Sequence, residues 1–337
     1  MKRLLTRLAV GLGLVFTITA AGTVFVYQQS KQALVSPLGL TSTTEVVIKP
    51  GQSVRKLMQQ WQQQGWLETD LWLRLALKAR PELSALKVGT YRLEPGMTPE
   101  QAFTLLGSGI EAQFSITLVE GGTIEQWLTQ ISQHPRLRQT VATSAQLADK
   151  LALDDQNPEG WFYPDTYSFT AGSSDVELLT RAHKRMEQAL TKVWEQRQSP
   201  LPLATPYELL TLASIIEKET AVAAERKLVA SVFVNRLKRG MRLQTDPTVI
   251  YGLGDAYQGD ITRKHLKTKT PYNTYRIDGL TPTPIANPSL ASLQAAADPA
   301  SSNYLYFVAD GNGGHAFNTN LKAHNRAVRA YLRKQKQ

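Results

Sequence analysis

The stretch TPYELLTLASIIEKETA, Thr205 to Ala221, decides how the second half of the chain is read. Thr205 is a natural helix N-cap, Pro206 suits the first helical position, and Glu208 falls where a capping box closes. From Tyr207 onward the composition is helical. Two glutamates, Glu217 and Glu219, stand in an otherwise apolar run. Successive helix residues turn by about 100°, so these two side chains diverge by about 200°. They cannot form a close carboxylate pair from this helix. One is free to face a cleft and the other solvent. Glu217 shares its side with Leu210, Ala213, Ser214 and Ala221, which are mostly small and leave room for a groove. Glu219 shares its side with Leu212, Ile215, Ile216 and Val222. That side reads as core, although a place near the helix end lets Glu219 swing out or accept a hydrogen bond. A carboxyl among apolar groups has its charged form disfavoured and its pKa raised, as a general acid near neutral pH requires. Most helix glutamates are simply solvated, and the apolar run weighs against that reading without deciding it.

The helix after it, ERKLVASVFVNRLKRG (225–240), carries Leu228, Val229, Val232, Phe233 and Leu237 on one stripe and ends at Gly240. It reads as scaffold. Upstream, VELLTRAHKRMEQALTKVWEQR (176–197) reads as a solvated amphipathic helix.

Toward the N-terminus one pattern occurs three times, beginning at Val46, Thr90 and Ser115. Each copy has a short β-rich run, a Pro-Gly or Glu-Gly turn, a hydroxyl residue and a helical pattern. Ser53, Thr98 and Thr123 are the expected N-caps, and Gln101 and Gln126 complete capping boxes. The uneven spacing excludes a solenoid. The pattern resembles the LysM-like folds that hold glycan chains.

Residues 8–27, LAVGLGLVFTITAAGTVFVY, carry no charge and follow Lys2, Arg3 and Arg7. As a helix they reach about 30 Å, the thickness of a bilayer core. A cleavable signal peptide would have a shorter apolar region, and Val24 to Tyr27 continue the run past the weak site at 19–21. An uncleaved anchor is the expectation, with residues 1–7 inside and the bulk outside. Residues 28–45 read as a polar tether. The expected order is therefore an anchor at 8–27, a tether at 28–45, a LysM-like α+β region at 46–158 and a mixed α/β catalytic domain at 159–337. The overall class is α+β.

The 337 residues are 42% hydrophobic and 20% charged, which suits a packed core rather than disorder. The net charge of +10 favours an anionic partner. It is spread without runs, and an outward-facing chain makes nucleic acid a poor partner. There is no cysteine, and the five histidines show no HExxH spacing, so a metal site is not expected. No cofactor is expected either.

Four further stretches are rich in side chains that bind sugars: EGWFYPDTYSF (159–169), RLQTDPTVIYG (242–252), TPYNTYRIDGLTPTPIANP (270–288) and LYFVADGNGGHAFNTNLKAHN (305–325). Aromatic faces cover pyranose rings, while amides and carboxylates bond hydroxyls. The aromatics of the first stretch read equally well as core.

LASIIEKETA, RLQTDPTVIYG, YNTYRIDGL and YFVADGNGGHAFNTNLKAHN, in this order, resemble the YceG-like (MltG) family of endolytic murein transglycosylases. The likeness covers nearly the whole chain. GLTPTPIANP departs from the Gly-Leu-Pro-Pro-type turn of the family. The resemblance implies cleavage of the β-1,4 bond between N-acetylmuramic acid and N-acetylglucosamine inside nascent glycan strands. The product has a 1,6-anhydromuramyl end, and strand growth stops. It implies Glu217 as the catalytic residue. It also places Gln244, Thr245, Asp246, Tyr272, Asn273 and Tyr275 in a substrate groove, with His315 left to turn structure. It implies a bacterial inner-membrane protein with a periplasmic catalytic domain. The implied partners are peptidoglycan strands and the membrane, with peptidoglycan synthases as candidates. Two alternatives remain open: a hydrolase pairing Glu217 with Asp246, and a non-catalytic wall-binding scaffold.

Overall fold

The computed structural model describes residues 2–68, 71–153 and 157–335, with side chains from residue 7 onward. The charges of Lys2 and Arg3, on which the expected orientation leans, lie outside the described residues. The chain forms two compact units, dividing at Phe114 and Ser115.

The first unit begins with α1 (Lys2–Val35), one unbroken helix. Its stretch Arg7–Val35 is long and apolar enough to cross a membrane. Within it the hydroxyls of Thr17, Thr19 and Thr23 donate to the carbonyls of Gly13, Val15 and Thr19, at 2.6, 2.8 and 2.8 Å. These bonds satisfy the three threonine hydroxyls without water, which favours residence in lipid. The expected tether does not form. The helix continues to Val35, and Leu34, Leu38 and Leu40 are buried in the core of the unit. Leu38 N–H donates to the Met97 carbonyl at 2.8 Å and Gly39 N–H to the Trp66 carbonyl at 3.0 Å. Apolar residues spaced through a polar segment dock it, and polar composition alone does not reveal that.

Then follow β1 (Thr44–Ile48), α2 (Val54–Gln63), α3 (Leu71–Ala79), β2 (Gly89–Leu93) and α4 (Pro99–Ser108). β1 and β2 pair antiparallel with Val46 opposite Tyr91. Ser53 caps α2, and Thr98 with Gln101 forms the expected capping box on α4. Trp61 packs on Phe103 with ring centroids 5.2 Å apart, both almost fully buried.

The second unit contains β3 (Gln113–Thr117, which spans the division), α5 (Ile124–Ser132), α6 (Ser144–Leu151), β4 (Thr166–Thr170), α7 (Asp175–Glu195) and α8 (Pro206–Glu219). After these come α9 (Arg226–Lys238), α10 (Asp246–Leu253), α11 (Arg263–Lys267), α12 (Leu290–Ala297), β5 (Tyr306–Ala309), β6 (His315–Asn318) and α13 (Leu321–Lys334). β3 pairs with β4, and β5 forms an antiparallel hairpin with β6.

α8 is the axis of this unit. Every residue from Leu209 to Ile216 is buried, so the helix has no solvent side through its middle. α7, α9, α10 and α12 pack around it. The aromatics of 159–169 belong largely to the core: Phe162, Tyr167 and Phe169 are buried, and Trp161 stacks on Tyr207.

The third strand–turn–helix copy belongs with this unit, not with the first two copies as expected. Its turn is bonded to a loop far along the chain: Gly121 N–H donates to the Asn287 carbonyl at 2.9 Å, and Asn287 N–H to the Gly122 carbonyl at 3.0 Å. Glu159 reinforces the junction. It is 2% exposed and accepts from Ile124 N–H at 3.0 Å and Asn287 Nδ2 at 3.3 Å.

Burial pushes the Glu159 carboxyl up from the ordinary 4.5 to about 7. The folded state therefore favours its protonated form. That contribution is complete below about 4.5 and is lost as pH rises through about 7, roughly 3 kcal/mol across the window. Thermal melting of wild type and Glu159→Gln from pH 4 to 8 is expected to show a flatter pH dependence in the variant.

Candidate active site

The two glutamates of α8 are both half-buried and have separate surroundings. Glu217 Oε2 accepts from Ser289 N–H at 3.0 Å, Ser289 Oγ at 2.5 Å and Ser292 Oγ at 2.6 Å. Ser289 is also the N-cap of α12. Glu217 thus ties the end of α8 to the start of α12, where a negative charge meets the orphan N–H groups and the helix dipole. The small residues on its side are not the wall of an open groove. They let neighbouring segments approach closely, and Ser214 Oγ accepts from Ile285 N–H at 3.0 Å.

Glu219, the last residue of α8, lines a cavity of about 380 Å³. Thr245 Oγ donates to its Oε1. Burial pushes the Glu219 carboxyl above the ordinary carboxylate range. The Thr245 hydrogen bond opposes the rise, the Asp246 charge adds to it, and His315 and Arg236 oppose it more weakly.

Of the six residues expected in the groove, four line this cavity with Glu219: Gln244, Thr245, Asp246 and Tyr275. Tyr275 donates to Asp246 Oδ1 at 2.7 Å. Burial, and then this hydrogen bond, push the Tyr275 hydroxyl well above its ordinary value. Gln244 has φ of 51°, the left-handed region that costs a side-chain-bearing residue about 1–2 kcal/mol. Backbone bonds hold it there: Gln244 N–H reaches the Thr274 carbonyl at 3.2 Å, and Thr245 N–H reaches Thr274 Oγ at 3.0 Å.

Tyr272 and Asn273 do not line the cavity. Asn273 is fully buried, and its Nδ2 donates to the carbonyls of His265, Leu266 and Thr268. The Tyr272 hydroxyl bonds Thr283 Oγ at 2.9 Å, and its ring meets Tyr251 edge-on. Both build the frame that presents Thr274 and Tyr275. His315 Nδ1 bonds Glu225 Oε2 at 2.7 Å from within β6.

The far wall holds residues that the sequence does not single out. Arg236, read as part of a scaffold helix, is 7% exposed. Its Nε donates to the Leu305 carbonyl at 2.6 Å, and its Nη1 to those of Leu243 and Arg242 at 2.6 and 3.3 Å. The guanidinium lies 5.0 Å from the ring centre of Tyr306, which in turn stacks on His324. His324 Nδ1 is buried without a hydrogen-bond partner among the described residues. Burial, then the Arg236 charge, push the imidazole below its ordinary value. An arginine beside Leu237, Lys238 and Arg239 carries no sequence signal that separates it from a solvated basic helix end. His324 stands inside a quoted motif, and the run of polar and aromatic residues around it was the available sign.

The cavity therefore joins one carboxyl biased toward its protonated form, a second carboxyl engaged by a phenol, and a fixed positive charge. Such a set suits proton transfer to an oxygen and stabilisation of transient positive charge. Among the described residues there is no group of three or more side chains that could hold a metal ion.

An enclosed acid on a mixed α/β frame defines a candidate acid–base enzyme acting on an oxygen-rich substrate. Comparison with known proteins is more specific. Residues 46–330 match the YceG-like family, and the chain belongs to it. An endolytic murein transglycosylase of Bacillus subtilis is 34% identical over 268 residues, covering 74% of each chain. One from Streptococcus pneumoniae is 28% identical, covering 94% of this chain and 63% of its own length. A yceG-like protein from Listeria monocytogenes, known from a 2.6 Å crystal structure, superposes with a TM-score of 0.54 at 30% identity. That match covers 85% of this chain and 99% of the other.

Gln244→Gly is expected to relieve the left-handed strain and raise stability by roughly 0.5–1 kcal/mol, while loosening the Thr245 hydroxyl and lowering activity. Denaturant unfolding beside a turnover assay checks the two opposite signs.

Proposed function

We propose that this chain is an endolytic murein transglycosylase whose acid lies at the end of α8, with the cavity geometry favouring Glu219 and the family resemblance favouring Glu217. The observation that carries the assignment is that Glu219 opens on the cavity with its carboxyl biased toward protonation. Glu217 accepts three hydrogen bonds from the start of α12 on one of its two oxygens.

In the proposed reaction the protonated Glu219 donates to the glycosidic oxygen between N-acetylmuramic acid and N-acetylglucosamine, and the C1–O bond breaks. The C6 hydroxyl of the same muramyl residue attacks C1. Its proton passes to the Glu219 carboxylate, which restores the acid and closes the 1,6-anhydro ring. No water is consumed, so one carboxyl suffices, whereas ordinary glycosidases need two. The attack is intramolecular and gains from proximity. Thr245 holds Oε1 of Glu219 and leaves the other oxygen for the proton. Asp246, fixed by Tyr275, both favours protonation of Glu219 and offers negative charge to the oxocarbenium-like sugar.

The chain is further read as a single-pass inner-membrane protein with the residues beyond the membrane span in the periplasm. α1 supports this by length and apolarity. The antiparallel β1–β2 pair, with α2 and α3 between its strands, supports a LysM-like glycan-holding role for the first unit. Peptidoglycan synthases are the proposed partners of an enzyme that ends strand growth.

Glu219→Gln is expected to lower cleavage of purified glycan strands by about 10²–10⁴-fold without loss of folding. Glu217→Gln should lower the melting temperature and keep activity within about tenfold. The opposite ranking moves the catalytic role to Glu217. Mass spectrometry is expected to find anhydromuramyl ends; reducing ends would establish the hydrolase with Asp246 as partner.

Because Glu219 must carry a proton to act, the rate should fall as pH rises past its elevated pKa. Thr245→Val removes a bond that lowers that pKa, so the alkaline limb of the pH–rate profile should move to higher pH.

A further inference from the structure

The apolar run of α1 ends at Tyr27, but α1 does not end there and the first unit does not begin at a distance from it. Phe25, two residues inside the run, meets Trp72 of α3 edge-to-face at 5.9 Å between ring centroids. At a rise of 1.5 Å per residue, Phe25 lies about 3 Å below the outer end of the apolar segment. α1 is one continuous helix, so that depth is fixed. Trp72 therefore lies at the same level, where acyl chains give way to headgroups. Its neighbour Leu71 is 49% exposed.

The unit cannot swing away from this level. Leu34 of α1, with Leu38 and Leu40 beyond it, shares one buried core with Leu73, Ala76 and Leu77 of α3. A cleft of about 360 Å³ lies along the same side, between Gln29, Gln32 and Ser36 of the emerging chain and the indoles of Trp66 and Trp72. Indoles favour such a boundary because one edge is apolar and the other donates a hydrogen bond.

We propose that the first turn of α3, Leu71 and Trp72, is an interfacial anchor that seats the first unit on the outer surface of the bilayer. The occupant of this surface is lipid at the headgroup–acyl boundary. The inference rests on the membrane-spanning reading of α1. With α1 as a lone anchor the unit would pivot about one point. With Trp72 immersed beside it the unit has two contacts and a fixed tilt, so it presents a constant face to the membrane.

The test uses the full chain reconstituted into phosphatidylcholine vesicles, some with acyl chains brominated near the headgroup and some near the methyl end. Bromine quenches only nearby indole emission, and residues 8–27 contain no tryptophan. Shallow bromines are expected to quench part of the wild-type emission more strongly than deep ones. Trp72→Phe should lose most of that quenched part, with unchanged circular dichroism and unchanged co-flotation with vesicles. Equal quenching of wild type and Trp72→Phe in co-floating protein overturns the inference and leaves the span intact. Failure of the wild-type chain to co-float overturns the span and the inference together.

Discussion

The site depends on one constraint: the carboxyl of Glu219 is half-buried against a cavity, so burial disfavours its charge. That constraint is a consequence of α8. A helix buried on every side through its middle must end somewhere, and its last turn carries two acids, Glu217 and Glu219. One is tied to the start of α12, with three donors on a single oxygen. The other receives one hydroxyl and faces a cavity. The number of donors separates the two roles. A half-buried carboxyl with a single donor has its protonated form favoured, which suits an acid.

The two jobs are coupled through the frame. α12 also packs against α7 and α9, so the Glu217 anchor fixes the end of α8 from which Glu219 projects. On the opposite side, Asn273 spends its amide on three carbonyls to shape the turn that carries Thr274 and Tyr275. Thr274 in turn holds the backbone of Gln244 and Thr245. Both groups that act on Glu219, the Thr245 hydroxyl and the Asp246 charge, are thereby placed by a buried network rather than by a free loop. The left-handed Gln244 is the visible strain of that placement.

Local structure was legible in the sequence wherever one side chain decides it. The caps at Ser53, Thr98, Thr123 and Thr205 form as the hydroxyl pattern implies. The motifs after α9 were also legible as a group, since RLQTDPTVIYG and YNTYRIDGL do meet at the cavity. Direction was harder to read: the two sides of α8 suggest one core and one open side, and a helix buried through its middle has neither there. Small residues then report close packing, not a groove. Tyr272 and Asn273, which do not line this cavity, show a related point. A polar side chain in a loop can serve a ligand or serve backbone carbonyls, and only the fold says which. Residues 28–45 looked like a tether because their composition is polar, while three leucines at separate positions were enough to dock them.

The far wall of the cavity shows how an acid near a fixed cation can still remain an acid. Arg236 favours the charged form of Glu219, yet burial outweighs it. Two of its nitrogens are committed to three carbonyls, and the guanidinium lies over Tyr306, so its charge is spread over several partners. It still disfavours a second cation nearby, which helps keep His324 neutral. A neutral imidazole can lie against a sugar as donor or acceptor without competing for the proton on Glu219. One permanent charge thus holds the wall together and disfavours a second cation nearby, while burial outweighs its pull on Glu219. On the proposed reading, that order of effects, with burial first and charge second, lets a single glutamate give up a proton and take one back at the same site.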